Sequence, residues 1–188
     1  MTAEEMKAEL ERRILKKRYL HSLGVMHTAV EIAERLGMPA EQVRTAALLH
    51  DCGREIAVEN MVEEAEKRGI EVGEIERAMP LLLHAPLGSK IAEEVYGVQD
   101  PVILQAIALH TVGAASMTDL DKLIYFADMI EPMRKYPEVE ELRRFGREAL
   151  LDEMFFAGVS ASIAFVIEKK GLLHPATVAA RNALLLKR

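Results

Sequence analysis

Helix starts and stops recur along the whole chain, and no stretch alternates apolar with polar residues as a half-buried strand must. Thr2 and Glu5 have the spacing of a capping box, opening a helix expected to run to about Tyr19. Ser22 is the expected cap of the next helix. Its apolar positions Val25, Ala29, Ile32, Ala33 and Leu36 recur at helical spacing before Gly37 closes it. Pro39 is expected in the first turn of a third helix, which carries Val43, Ala46, Ala47 and Leu49 and delivers His50 and Asp51 at its end. Further helices are expected from Val58 to Arg68, Pro86 to Tyr96, Pro101 to about His110, and from Ser116 or Thr118 through Ile130, where Pro132 follows. Three more complete the pattern, from about Pro137 to Glu148, from Leu151 to Lys170 and from Pro175 onward. With no repeat, low-complexity tract or linker, these segments imply an all-α fold and one helical domain over residues 1–188.

A chain of 188 residues is long enough for one sizeable core. Half of it is hydrophobic, yet tryptophan is absent and aromatics are scarce, so Leu, Ala, Ile, Met and Val must fill the interior. The formal net charge of −6, with no Lys/Arg run, argues against a long nucleic acid as partner. A short polyanion can still bind where metals or a few arginines reverse the field locally. The one cysteine, Cys52, leaves no partner for an intramolecular disulfide and suits a reducing compartment. The segment from Met1 to Leu20 is charged throughout and lacks an apolar signal core. No apolar stretch approaches the roughly 20 residues needed to cross a bilayer, so a cytoplasmic protein with no membrane partner is expected. Amphipathic helix faces serve a core or a dimer equally well, which leaves a monomer and a homodimer both open.

Six residues stand out: His21, His50, Asp51, His84, His110 and Asp128. His50-Asp51 follows the run from Ala46 to Leu49, His84 follows Leu81-Leu82-Leu83, and His110 follows Ile107-Ala108-Leu109. Asp128 lies within an apolar stretch from Leu123 to Ile130. A carboxylate among so many apolar neighbours costs several kcal/mol to bury unpaired, about 2 to 7, or is forced to protonate; a metal ion holds it ionised.

Each residue alone has a bland explanation. A lone histidine on an apolar helix face is usually a hydrogen-bonded core residue, and Asp128 alone can pack against an arginine such as Arg134. Adjacent His-Asp pairs are also common by chance. Most of the histidines and two aspartates ending or interrupting apolar runs together favour metal binding. His174, before Pro175, reads as a helix-entry residue outside the ligand set. Cys52 reads as a small packing residue, Glu131 as a turn or supporting residue beside Pro132, and Glu63, Glu64 and Glu66 as a solvated face.

The ordered pattern of His21, His50-Asp51 and Asp128 resembles the HD-domain metal-dependent phosphohydrolases, and His84 and His110 between them resemble the subset that holds two metals. The similarity extends to longer stretches: Arg18-Tyr19-Leu20-His21-Ser22-Leu23-Gly24-Val25, Leu48-Leu49-His50-Asp51-Cys52-Gly53-Arg54-Glu55, His110-Thr111-Val112-Gly113, the segment from Tyr125 to Arg134, and that from Thr177 to Asn182. In order and over nearly the whole chain, these resemble the YqeK-like family of symmetrical diadenosine tetraphosphate hydrolases. The resemblance implies iron as cofactor, one or two ions, with manganese, cobalt or zinc as substitutes, and two ADP as products. It implies His21, His50, Asp51 and Asp128 as principal ligands, with His84 and His110 on a second metal or the phosphate chain. Asp51, Arg54 and Asp128 would be catalytic. Nucleotide contacts are implied for Arg18, Asp51, Cys52, Gly53, Arg54, His84, His110, Thr111, Asp128 and Arg134, and for the turn Gly171, Leu172, Leu173, His174, Pro175, Ala176 and Thr177. One departure is Arg54, where the family often has Lys; the planar fork replaces a point donor.

The chemistry fits these residue types. A bound metal lowers the pKa of its water and neutralises phosphate oxygens, and mixed imidazole and carboxylate ligation suits iron, manganese, zinc or cobalt better than magnesium. Asp51 is expected to bridge two metals, water to attack an inner phosphate, and Arg54 and Arg134 to stabilise charge on the transferred and leaving phosphates. An HD phosphohydrolase acting on another nucleotide, or a metal and nucleotide sensor without turnover, are the alternatives; a structural metal scaffold fits poorly because such sites are closed four-ligand cages.

Overall fold

Thr2 caps the first helix, α1 (Ala3–Arg13): its hydroxyl accepts from the Glu5 amide while the Glu5 carboxylate accepts from the Thr2 amide. The computed structural model describes residues 1–186, and every regular element among them is helical. α1 ends at Arg13, not near Tyr19, and α2 (Lys16–Leu36) begins after a two-residue break. At the break Ile14 turns extended and buries its side chain, while Leu15 stays in solvent. Ser22 therefore caps nothing; it lies inside α2, fully buried, because the stretch around it packs into the core. Gly37 closes α2 in the left-handed conformation expected, its amide reaching the carbonyls of Ala33 and Glu34.

Pro39 sits at the cap position of α3 (Ala40–Leu49), one residue before the first turn. The apolar face of α3, from Val43 to Leu49, is buried against α2. The expected helix from Val58 begins as a 3-10 turn and becomes α4 (Met61–Lys67). A short α5 (Glu74–Ala78) and a 3-10 turn over Pro80–Leu83, neither expected, lead into α6 (His84–Glu94), which starts before Pro86. Asp100 caps α7 (Pro101–Leu109) by accepting from the Val102 amide. Thr118, of the two candidates, caps α8 (Asp119–Ile130) in a second capping box with Asp121. The chain continues through α9 (Val139–Gly146), α10 (Leu151–Glu168) and α11 (Pro175–Leu186), with ends within two residues of those expected where both were specified.

Helix α8 runs through the middle, touching α2, α7 and α10. Leu123, Ile124, Phe126 and Ala127 are completely buried along it. Each large side chain so buried contributes about 1.5–3 kcal/mol, which pins the helix whose last turn carries Asp128. The backbones of the Cys52–Glu55 3-10 turn and α6 approach through facing glycines. A Cβ on Gly53 would stand 2.1 Å from the His84 carbonyl oxygen, and one on Gly88 3.2 Å from the Gly53 nitrogen. This contact locks the segment after His50-Asp51 to the helix that begins with His84.

Candidate metal centre

Three histidines are aimed by one local device. His50 follows the last residue of α3, His84 opens α6 after the Pro80–Leu83 turn, and His110 follows the last residue of α7. In each, Nδ1 faces the carbonyl three residues back: Ala47 at 2.7 Å, Leu81 at 2.5 Å and Ile107 at 2.8 Å. An Nδ1–H donating to that carbonyl fixes the tautomer and leaves the Nε2 lone pair pointing into the site. The apolar run before each histidine buries the helical turn whose carbonyl does the aiming. His21, in the second turn of α2, is held instead by a carboxylate, with Nδ1 3.0 Å from Glu131 Oε1.

The four Nε2 atoms converge as two pairs. His21 and His50 stand 3.3 Å apart, and His84 and His110 3.1 Å apart. Asp51 lies between the pairs and turns a different oxygen to each. Its Oδ2 is 3.9 Å from both His21 and His50, and its Oδ1 is 3.2 Å from His84 and 3.9 Å from His110. Two sets of three donors result, His21 with His50 and Asp51, and Asp51 with His84 and His110, each with its donor atoms within 4.8 Å of one another. Asp128 stands beside the first set, with Oδ1 2.9 Å from His21 Nε2 and 3.8 Å from His50 Nε2. Buried imidazole lone pairs facing one another repel unless a cation or proton stands among them, so the donor set fits divalent transition metals. Asp128 also pairs with Arg134, so the packing role and the place beside the ligands coexist.

Burial and charge set the protonation of these groups. Burial pushes His50 down, and it pushes His110 down to about 3, with the neighbouring imidazoles adding to the effect. Burial also works against the charge on Asp51, but the His84 hydrogen bond and the surrounding histidines outweigh it and hold the carboxyl well below its usual range. Asp128 is held low in the same way, burial being overcome by His21 and Arg134. His21 goes the other way: burial favours its neutral form, but Asp128 and Glu131 together raise it. The site thus keeps anionic carboxylates and neutral His50 and His110 available at neutral pH.

Arginines surround this cluster. Arg18 Nη1 donates to Asp51 Oδ2 at 3.3 Å, and Arg54 Nε donates to Asp51 Oδ1 at 3.0 Å. A cavity of about 120 Å³ opens over these donors, with Arg54, Arg134 and Thr111 in its wall. Thr111 Oγ1 lies 3.2 Å from His84 Nε2 and 3.1 Å from His110 Nε2. Cys52 and Gly53 are buried behind the ligands. The Cys52 thiol donates to the Gly88 carbonyl at 3.1 Å, and burial pushes its pKa well up, as suits a packing residue. The turn from Gly171 to Thr177 is outside the cavity wall and connects to it through Thr177 Oγ1, which donates to the Val112 carbonyl beside Thr111. His174 accepts from the Ala176 amide at the entry to α11 and pairs with Glu76 of α5. Glu63, Glu64 and Glu66 pair with Lys67, Arg68 and Arg77 on a helix surface.

Sequence reasoning missed three cavity residues, Tyr125, Met129 and Ser162, which meet between α8 and α10. Tyr125 donates to Ser162 Oγ at 3.1 Å. Tyr125 precedes Asp128 by three residues and so shares its helix face, a signal the sequence offers. Ser162 sits in an apolar helix, and nothing local distinguishes it.

An all-helical bundle with convergent histidines and aspartates between its helices defines a class, and the comparisons agree. The HD domain matches residues 18–133, and the chain belongs to that family. Bis(5'-nucleosyl)-tetraphosphatase, symmetrical, of Bacillus subtilis is 35% identical over 98% of both chains. The protein of the same name from Staphylococcus aureus is 32% identical over 97% of this chain and 94% of its own. A crystal structure from Clostridium acetobutylicum, described as an HD superfamily hydrolase involved in NAD metabolism, superposes with a TM-score of 0.94 at 37% identity, covering 100% of this chain and 99% of that one.

Proposed function

We propose that this protein hydrolyses diadenosine tetraphosphate symmetrically to two ADP, using iron held by His21, His50, Asp51 and Asp128, with His84 and His110 serving a second ion or the phosphate chain. The observation that carries the reading is Asp51, whose two oxygens face different histidine pairs. Full-length relatives bearing the symmetrical tetraphosphatase name support the substrate.

When bound, the metals supply Lewis acidity, which activates water and neutralises phosphate oxygens. The chain's own residues do the rest. Asp51, Asp128 and Glu131 are balanced by Arg18, Arg54 and Arg134, so with His21 neutral, as a metal ligand must be, these side chains bring no net charge to a polyphosphate. A pair of divalent ions would add four positive charges, matching the four ionised oxygens of a bridging tetraphosphate chain. Arg54 and Arg134 then orient inner and leaving phosphates through charge-assisted hydrogen bonds, and Thr111 offers a hydroxyl at the same wall. The nucleoside of one product would lie towards the Gly171–Thr177 turn. The described residues include no helix long and apolar enough to cross a membrane, and a cytoplasmic enzyme is part of the same reading.

The test is anaerobic turnover of diadenosine tetraphosphate by iron-loaded protein, with products separated chromatographically. ADP alone is the expected result. AMP with ATP would move the point of attack, and bound iron and nucleotide without turnover would make the protein a sensor.

A further inference from the structure

Beyond the metal cavity lies a second hollow of about 430 Å³, and the two share Asp128, Met129, Arg134 and Ser162 as a common wall. The second hollow differs in chemistry. Tyr136, Ala161, Ala164 and Phe165 make it largely apolar, and Glu138 and Glu168 stand at its edge. Small side chains on α10 leave the space, while the Phe165 ring, 57% exposed with Lys169 Nζ 5.7 Å from its centroid, and the half-buried Tyr136 offer aromatic surface. The opposite flank of α10 is already occupied: Arg181 of α11 stacks on Phe156 and donates to Ser160. α10 therefore separates the hollow from α11, which the Gly171–Thr177 turn enters.

We propose that this hollow receives the second nucleoside of the substrate, the half leaving from the phosphate chain on the Arg134 side. The inference rests on the dinucleotide reading above and adds to it a subsite for the far half. Charge decides the direction of the ligand. Arg134 at the shared wall holds the last phosphate; the other residues lining the hollow supply no cation, and of its carboxylates Glu138 and Glu168 the second is offset by Lys169 at 3.9 Å, so nothing there holds a further phosphate. The group attached beyond that phosphate must therefore be uncharged, and an apolar floor with aromatic surface favours a flat base. The rim carboxylates accept hydrogen bonds from ribose hydroxyls or an exocyclic amine, groups a nucleoside carries and a phosphate lacks.

The test fills the hollow without touching the ligands. Ala164 is exposed, so Ala164→Trp occupies the space with little risk to folding, and Phe165→Ala removes the ring while leaving the space open. Calorimetry of metal-loaded protein with ADP should show two molecules bound per chain in the wild type and one in Ala164→Trp. In steady-state turnover both variants should raise KM for diadenosine tetraphosphate by roughly tenfold with kcat nearly unchanged, and leave KM for adenosine 5'-tetraphosphate, which has one nucleoside, unaltered. One ADP per chain in both proteins would overturn the subsite. Equal KM values for the dinucleotide would overturn it too, while leaving the hydrolase reading intact. If the wild type fails to turn over the dinucleotide, the hydrolase reading falls, and the ADP count still decides the subsite.

Discussion

Glu131 divides its carboxylate between two tasks: Oε1 lies 3.0 Å from His21 Nδ1, and Oε2 accepts from the Met133 amide at 2.7 Å. His21 lacks the backbone device that aims the other three histidines, so this buried carboxylate orients its ring instead. Arg143 donates to the backbone carbonyl of Glu131 and secures the turn. A carboxylate behind a ligating imidazole fixes the tautomer and raises its basicity, and removing one typically costs 10–100-fold in metal affinity, on the order of 1–3 kcal/mol. Glu131→Ala is expected to lose affinity on that scale. Glu131→Gln, whose amide oxygen still accepts from Nδ1–H, should lose less. Metal titration of apo protein, with far-UV circular dichroism as the fold control, checks both, and equal affinity in wild type and Glu131→Ala would refute the role.

Among the described residues Asp51 alone belongs to both candidate donor sets, so its loss should affect both. Asp51→Ala is expected to abolish bound metal and turnover. It also leaves Arg18 and Arg54 without their shared partner. His84→Ala, by contrast, should lower the metal content while His21, His50, Asp51 and Asp128 still retain an ion. Elemental analysis of both variants distinguishes them; a metal-free Asp51→Ala that remains fully active would eliminate the metal hydrolase reading.

Much of this site was legible because three of its four histidines, His50, His84 and His110, end apolar runs. The run buries a helical turn, and the turn's carbonyl aims the ring. Sequence order could not show that the histidines pair as His21 with His50 and His84 with His110, because that depends on how α2, α3, α6 and α7 cross. The break after Arg13 was missed because neither Ile14 nor Leu15 is a helix breaker. The chain turns there so that Ile14 can be buried, a tertiary effect that overrides local propensity. The five-residue α5 has too few residues to display a period. The second hollow exists because α10 presents small residues, Ala161, Ser162 and Ala164, beside Met129 of α8, and no motif announces that.

Two glycines should respond differently to alanine. Gly37 sits at φ 67° with nothing within 4 Å of a Cβ, so Gly37→Ala meets only left-handed strain, roughly 1 kcal/mol. Gly53→Ala would drive a methyl into the His84 carbonyl oxygen at 2.1 Å and the Gly88 nitrogen at 2.7 Å, both backbone atoms. It should destabilise by about 3 kcal/mol or more, near the upper range for single substitutions. Because the clash separates His84 from His50-Asp51, metal affinity should fall as well. Urea unfolding of the metal-free variants, followed by metal titration, measures both effects. A Gly53→Ala no less stable than Gly37→Ala would contradict the close backbone contact.

Acid should weaken the metal-free protein before its carboxylates titrate. His110 is held down to about 3 by burial, and burial likewise lowers His50. In the unfolded chain both would bind a proton near the ordinary histidine value, around 6.5. Between those values the unfolded state holds more protons than the folded one, so stability falls as pH drops below about 6.5. His21, raised by Asp128 and Glu131 against its burial, acts in the opposite sense: its contribution is fully present below the unfolded value and lost as pH rises through the folded one. Asp51 and Asp128 are held low, so their contributions persist across this window and are lost only in stronger acid. Two lowered imidazoles against one raised should leave a net loss between pH 7 and pH 5, on the order of 1–2 kcal/mol. His110→Gln removes one of the two and should flatten the slope. Urea unfolding of apo protein at pH 7, 6 and 5 provides the measurement. A wild-type stability that stayed level, or a His110→Gln slope as steep as the wild type's, would show that these imidazoles are not held neutral by the fold.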